Sequence, residues 1–224
     1  GGVQIVVHDL SGNTLHLRNY VVSDNMLWNS LGNAISINQN SATYGNNSNA
    51  QIVVSNNNIY SPALSGIGVT GAYVGSGATL GSTVISGNTV VDGLTNTLAP
   101  DASAGIVLLG TVNTVVDSNV IISPRYAGIL AYYDGSNISI NNNIITDHQG
   151  RSTVGGGTSL PQAGAPIFIS GGGATVAMEN VNVTGNIIKN YATAVSPQAS
   201  YVRTGGIVVT EAKAKDISIK NNRI

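Results

Sequence analysis

Two hydrophobic patterns alternate along the chain. The first is a small residue leading into a short run: Gly2-Val3-Gln4-Ile5, Ala34-Ile35-Ser36-Ile37, Gly66-Ile67-Gly68-Val69, Gly105-Ile106-Val107-Leu108, Gly128-Ile129-Leu130-Ala131, Pro166-Ile167-Phe168-Ile169 and Gly206-Ile207-Val208-Val209. A buried side chain at every second position predicts a strand. The second pattern is apolar-x-(Gly/Asn/Ser)-Asn-x-(Ile/Val), and it occupies residues 54–59, 85–90, 116–121, 140–145, 183–188 and 219–224. A residue tolerant of positive φ followed by Asn, between two apolar positions, predicts a sharp corner joining two short strands. Residues 17–22 read as a seventh, degenerate copy, with Tyr20 where the others carry Asn.

The two patterns interleave, which makes them one repeat. The first apolar positions of the strands are 3, 35, 67, 106, 129, 167 and 207, so successive spacings are 32, 32, 39, 23, 38 and 40. An uneven period is hard to reconcile with helical repeats but suits a coil of short strands that swells at its corners while the strands stay stacked. The bare rung is then 23 residues, from Ile106 to Ile129, and there are seven rungs of three strands. At about 4.8 Å per rung, such a coil is roughly 30 Å long. The repeated Asn57, Asn88, Asn119, Asn143, Asn186 and Asn222 fall one above another. A side-chain amide both donates and accepts, so a column of them satisfies itself and the buried corner backbone.

The rung grammar, small-Ile-x-Val strands with the repeated Asn corner, resembles the right-handed parallel β-helix family, the pectate-lyase-like superfamily of polysaccharide lyases, epimerases, glycosidases, phage tailspikes and surface proteins. The resemblance spans essentially all 224 residues and implies an all-β solenoid in one domain, 1–224. Neither end leaves room for a cap over the core, so the chain is expected to be a segment of a longer solenoid.

Composition narrows the partners. Only 8% of residues are charged, the net charge is -1, and there is no Cys. Nucleic acid calls for a cationic surface that is missing here, and no apolar run approaches the roughly 20 residues that span a bilayer. Membrane insertion is not expected. The absence of Cys excludes a disulfide framework and leaves the compartment undecided. A cell, virion or other extracellular surface is implied only by the resemblance.

In the family resembled, ligands occupy the outer face of the first strand. Alternation assigns its outward positions, and in the central rungs these form an apolar strip: Val107, Leu109, Leu130, Tyr132 and Phe168. An exposed apolar strip marks either a ligand groove or a surface covered by a loop or a neighbouring subunit. Tyr126, Leu130, Tyr132 and Phe168 are the candidate substrate-binding residues. Long connections rich in Gly, Ser, Ala, Asn and Thr flank the strip at 39–50, 71–82 and 171–180 on one side and at 92–104, 147–165 and 190–205 on the other.

The best catalytic constellation joins Arg125, Tyr133 and Asp134 to His148 and Arg151, which belong to adjacent rungs. In a uronate-cleaving lyase a cation offsets the carboxylate while Tyr, His or Arg moves protons. A glycosidase would instead set two of Asp101, Asp134, Asp147, Glu179 and Glu211 across a groove. The Asn-Thr-Asp, Asp-Asp and Gly-His-Gly set of polygalacturonases is absent, as is the Asp-Pro-His motif of alginate epimerases of this fold. No organic cofactor is implied; calcium fits the family, but no tight acidic cluster names its ligands. Two functions remain open: a carbohydrate-recognising protein, as a polysaccharide lyase or glycosidase, and a non-catalytic surface solenoid such as a filament, adhesin or tailspike shaft. The second would self-associate through the first-strand face or its ends.

Overall fold

The computed structural model describes residues 2–7, 19–39, 51–70, 82–91, 104–124, 126–132, 135–149, 165–171, 178–191, 205–210 and 214–224. Every strand in them is parallel to its neighbours, and the strands form three sheets. The first contains β1 (Val3–Val7), β4 (Ile35–Gln39), β7 (Ile67–Thr70), β10 (Ala104–Leu109), β13 (Ala127–Tyr132), β16 (Ile167–Ser170) and β19 (Ile207–Thr210), in that order. The second runs β2 (Tyr20–Ser23), β5 (Ile52–Ser55), β8 (Thr83–Ser86), β11 (Val112–Asp117), β14 (Gly135–Asn141), β17 (Met178–Thr184) and β20 (Lys215–Lys220). The third stacks β3 (Met26–Trp28), β6 (Asn58–Tyr60), β9 (Thr89–Val91), β12 (Val120–Ile122), β15 (Ile144–Thr146) and β18 (Ile187–Lys189), and a bridge from Ile187 to Arg223 adds a seventh row. The chain therefore winds through sheets one, two and three and begins again: seven rungs, with the short rung bringing Ile106 beside Ile129.

The sequence explains the corners. The residue before each repeated Asn adopts positive φ: Asn56 (56°), Gly87 (66°), Ser118 (55°), Asn142 (53°), Gly185 (69°) and Asn221 (55°). Small or Asx side chains make that conformation affordable. The exit from the third sheet uses the same device at Ser61, Ser123, Asp147 and Asn190, which fits the turn-closing role of Asp, Ser and Asn there. Inside the first corner Asn57, Asn88, Asn119, Asn143 and Asn186 are fully buried. Each Oδ1 accepts from the amide nitrogen and Nδ2 of the preceding rung, as Asn119 does from Asn88 at 3.0 and 2.9 Å.

The first rung corrects one sequence expectation. Tyr20 does not stand at a corner; it opens β2 and pairs with Ile52. The corner belongs to Asp24, with φ 59°, and the ladder begins at Asn25, whose Nδ2 donates to Asn57 Oδ1 at 2.8 Å. Residues 22–27, Val-Ser-Asp-Asn-Met-Leu, are thus the seventh copy. Asp in place of Gly, Asn or Ser, and Leu in place of Ile or Val, put it outside the pattern.

The interior is a single column of aliphatic side chains from all three sheets, among them Ile35, Ile67, Ile106, Val54, Val116, Val90 and Ile121. Gly66, Gly105 and Gly128 open the first-sheet strands where a Cβ would lie 2.6, 2.6 and 2.9 Å from the side chains of Val90, Ile121 and Ile145. At these three positions the third sheet's inward side chains and a backbone carbonyl of the next rung, 2.8 Å from the same Cβ, together demand a residue without one.

Candidate functional site

Outward residues of the first sheet build a second apolar layer, separate from the interior column. Val107 on β10, Leu130 and Tyr132 on β13 and Phe168 on β16 pack with Ala104, Ala127 and Ala165, while Leu109 and Val208 lie against them half-buried. Register places Val107 beside Leu130 and Leu130 beside Phe168, so the side chains stack rung on rung. The strip is therefore where alternation put it, but it is not exposed. Leu130 and Tyr132 are each 2% accessible and Phe168 1%. Tyr126, just before β13, is 6% accessible. Within one copy of the chain these four residues are covered, and the polar outward positions Ser170 and Thr210 are buried beside them.

His148, a catalytic candidate, and Tyr126, a substrate-binding candidate, do meet. Residues 147–149, leaving β15, reach Pro124 and Tyr126 at the end of the preceding rung: the Gln149 amide donates to the Pro124 carbonyl at 3.0 Å, and His148 Nε2 bonds the Tyr126 carbonyl. A carbonyl only accepts, so Nε2 carries the proton. His148 is fully buried, and burial pushes its pKa below the ordinary 6.5, with the hydrogen bond to Tyr126 opposing the shift. A neutral, sealed imidazole whose Nε2 proton is committed to the main chain is suited to holding two turns together. Arg125, Tyr133, Asp134 and Arg151 lie outside the described residues.

Three other carboxylates are engaged locally. Asp117 accepts from Ser118 Oγ at 2.7 Å and from Asn142 Nδ2 at 3.0 Å. Asp147 accepts from Asn190 Nδ2 at 3.1 Å at the exit of the third sheet, whereas Glu179 pairs with Lys215 at 3.0 Å on the second. These two acids leave different faces and do not oppose each other across one groove. Asp101 and Glu211 are outside the described residues, among which no cluster of three or more metal-binding His, Cys, Asp or Glu occurs.

A different surface emerges on the third sheet. Leu27, Ile59, Val90, Ile121, Ile145 and Ile188 point inward from β3, β6, β9, β12, β15 and β18, so the residues on either side of each point out. Trp28 and Tyr60 are register partners there and stack, with ring centroids 5.9 Å apart and planes 18° from parallel. Trp28 is 55% accessible, Met26 54% and the adjacent turn residue Leu31 94%. Neither sequence pattern singles out this pair. Each aromatic stands three residues after its ladder Asn, Trp28 after Asn25 and Tyr60 after Asn57. With Tyr20 taken as the first corner, that alignment was lost.

Comparison with protein families matches residues 10–224 to one model, described as a right handed beta helix region. No curated protein and no solved structure matches the chain.

Proposed function

This chain belongs to the right-handed beta helix family, and on that premise we propose that it is a carbohydrate-recognising solenoid of an extracellular surface that holds a polysaccharide without cleaving it. The observation that carries the reading is the exposed Trp28–Tyr60 stack on a rigid sheet. Large aromatic surface left in water on an ordered scaffold marks a binding site, and an aromatic ring face attracts the polarised C–H groups of a sugar ring. Cleavage has less support: His148 is sealed against the Tyr126 carbonyl, and the first-sheet strip is covered.

A second reading, the structural or adhesive shaft, draws on that covered strip, since a solenoid buried on both sides of one sheet is a stiff spacer. A panel of polysaccharides separates the readings when it is read both for binding and for new reducing or unsaturated ends. Binding lost in Trp28→Ala, with no new ends, is the expected result. Unsaturated ends that vanish in Arg125→Ala would establish a lyase instead. Absence of binding to every member would leave the shaft.

A further inference from the structure

We propose that the outer face of the third sheet takes an uncharged polysaccharide, with a pyranose ring against the solvent-exposed side of the Trp28–Tyr60 stack and the glycan continuing along the solenoid axis past Asn58 and Thr89. The inference rests on the carbohydrate reading above and specifies its substrate class and its track.

Three observations carry it. First, Tyr60 stacks on Trp28 from the neighbouring rung, which fixes the plane of the indole while more than half of the residue stays in solvent. A pre-oriented aromatic spends little conformational entropy on binding. Second, the two outward columns of this sheet follow strict register: Trp28, Tyr60, Val91 and Ile122 in one, Met26, Asn58, Thr89 and Val120 in the other. Apolar ring-sized surface thus runs beside a side-chain amide and a hydroxyl, the alternation that a sugar presents with its C–H faces and hydroxyl edges. Third, neither column holds a charged side chain until Lys189 on β18. Within these two columns a uronate on the first five rungs would meet no cationic side chain, and drying an unpaired carboxylate is costly; a neutral glycan loses nothing comparable.

The chain has one tryptophan, Trp28, so its intrinsic emission reports on this face alone. The full chain is titrated with a soluble β-glucan and separately with polygalacturonate, at low and high salt, following emission and calorimetric heat. The expected result is a change in Trp28 emission with the β-glucan, an affinity indifferent to salt, and weakening of about tenfold in Tyr60→Ala. In Trp28→Ala, calorimetric binding should be lost while circular dichroism and melting remain those of the parent. Polygalacturonate bound in a salt-sensitive way without an emission change would overturn this inference and leave the carbohydrate reading standing. β-Glucan binding untouched by both substitutions would do the same. Failure of both polymers would bring down the carbohydrate reading with it. Emission that depends on protein concentration, with a dimer in sedimentation that Trp28→Ala dissolves, would make this face an interface between copies and likewise overturn the proposal.

Discussion

Asn119 holds parts of three rungs together through one side chain. Its Nδ2 donates to Ile85 O, to Asp117 O and to Asn143 Oδ1, while its Oδ1 accepts from the amide nitrogen and Nδ2 of Asn88. Asn119→Ala leaves buried donors and acceptors unpaired on both sides, so a loss of about 3 kcal/mol is expected in denaturant unfolding. Asn119→Asp keeps the acceptor but turns lone pairs toward three oxygens. It should destabilise at least as much at neutral pH and partly recover as acid protonates the carboxylate. Gly87 is constrained differently: its φ is +66°, and a Cβ would sit 2.6 Å from Asn56 Oδ1. Gly87→Ala should therefore cost about 1–2 kcal/mol in the same assay. His148 gives a pH signature. Its folded pKa lies below 6.5 because burial disfavours the cation, so below pH 6.5 the unfolded chain binds more protons than the folded one. Its contribution to stability is complete above 6.5 and declines as pH falls toward the folded pKa. Melting temperature in His148→Gln should lose that part of the acid dependence. At this scale the ladder asparagines were readable from sequence because burial and positive φ leave few allowed residue types. Asn25 was not, because Asp24 and Leu27 satisfy the same geometry with different side chains.

Among the elements, the first and second sheets show what alternation can convey. The second sheet carries outward Val53, Ser55 and Ser86 beside inward Ile52, Val54 and Ile85, with the outward residues half-buried, and its pattern is read directly. The first sheet instead shows Ile106-Val107-Leu108-Leu109, Ile129-Leu130-Ala131 and Ile167-Phe168-Ile169, continuous apolar runs of parallel strands buried on both faces. Periodicity told which side each residue faces; the lack of a polar partner carried the separate message that the outer side is covered. Phe168→Ala should accordingly behave as a core truncation, destabilising by about 3–5 kcal/mol in equilibrium unfolding, whereas Trp28→Ala on the third sheet should leave stability within about 0.5 kcal/mol of the parent. If Phe168→Ala melted like the parent, the outer layer would be a binding surface after all.

For the molecule as a whole, rung period, strand order and ladder were legible because each rung repeats the same solution to the same backbone problem. Functional surface was less so: it depends on what each outward residue has beside it on the next rung, and a single misplaced corner separated Trp28 from Tyr60. A solenoid of this kind couples nearest neighbours and little else, which makes its organisation measurable. Asn88 and Asn119 are bonded neighbours, while Asn57 and Asn186 are four ladder steps apart, roughly 19 Å at the inter-strand spacing. Two double-mutant cycles to Ala, one for each pair, compare them by denaturant unfolding. Stacking of the amide column predicts that the double Asn88/Asn119 variant loses at least about 1 kcal/mol less than its single variants combined, with the Asn57/Asn186 pair additive to about 0.5 kcal/mol. Additivity at Asn88 and Asn119 would contradict the stacked ladder and the three-sheet coil built on it.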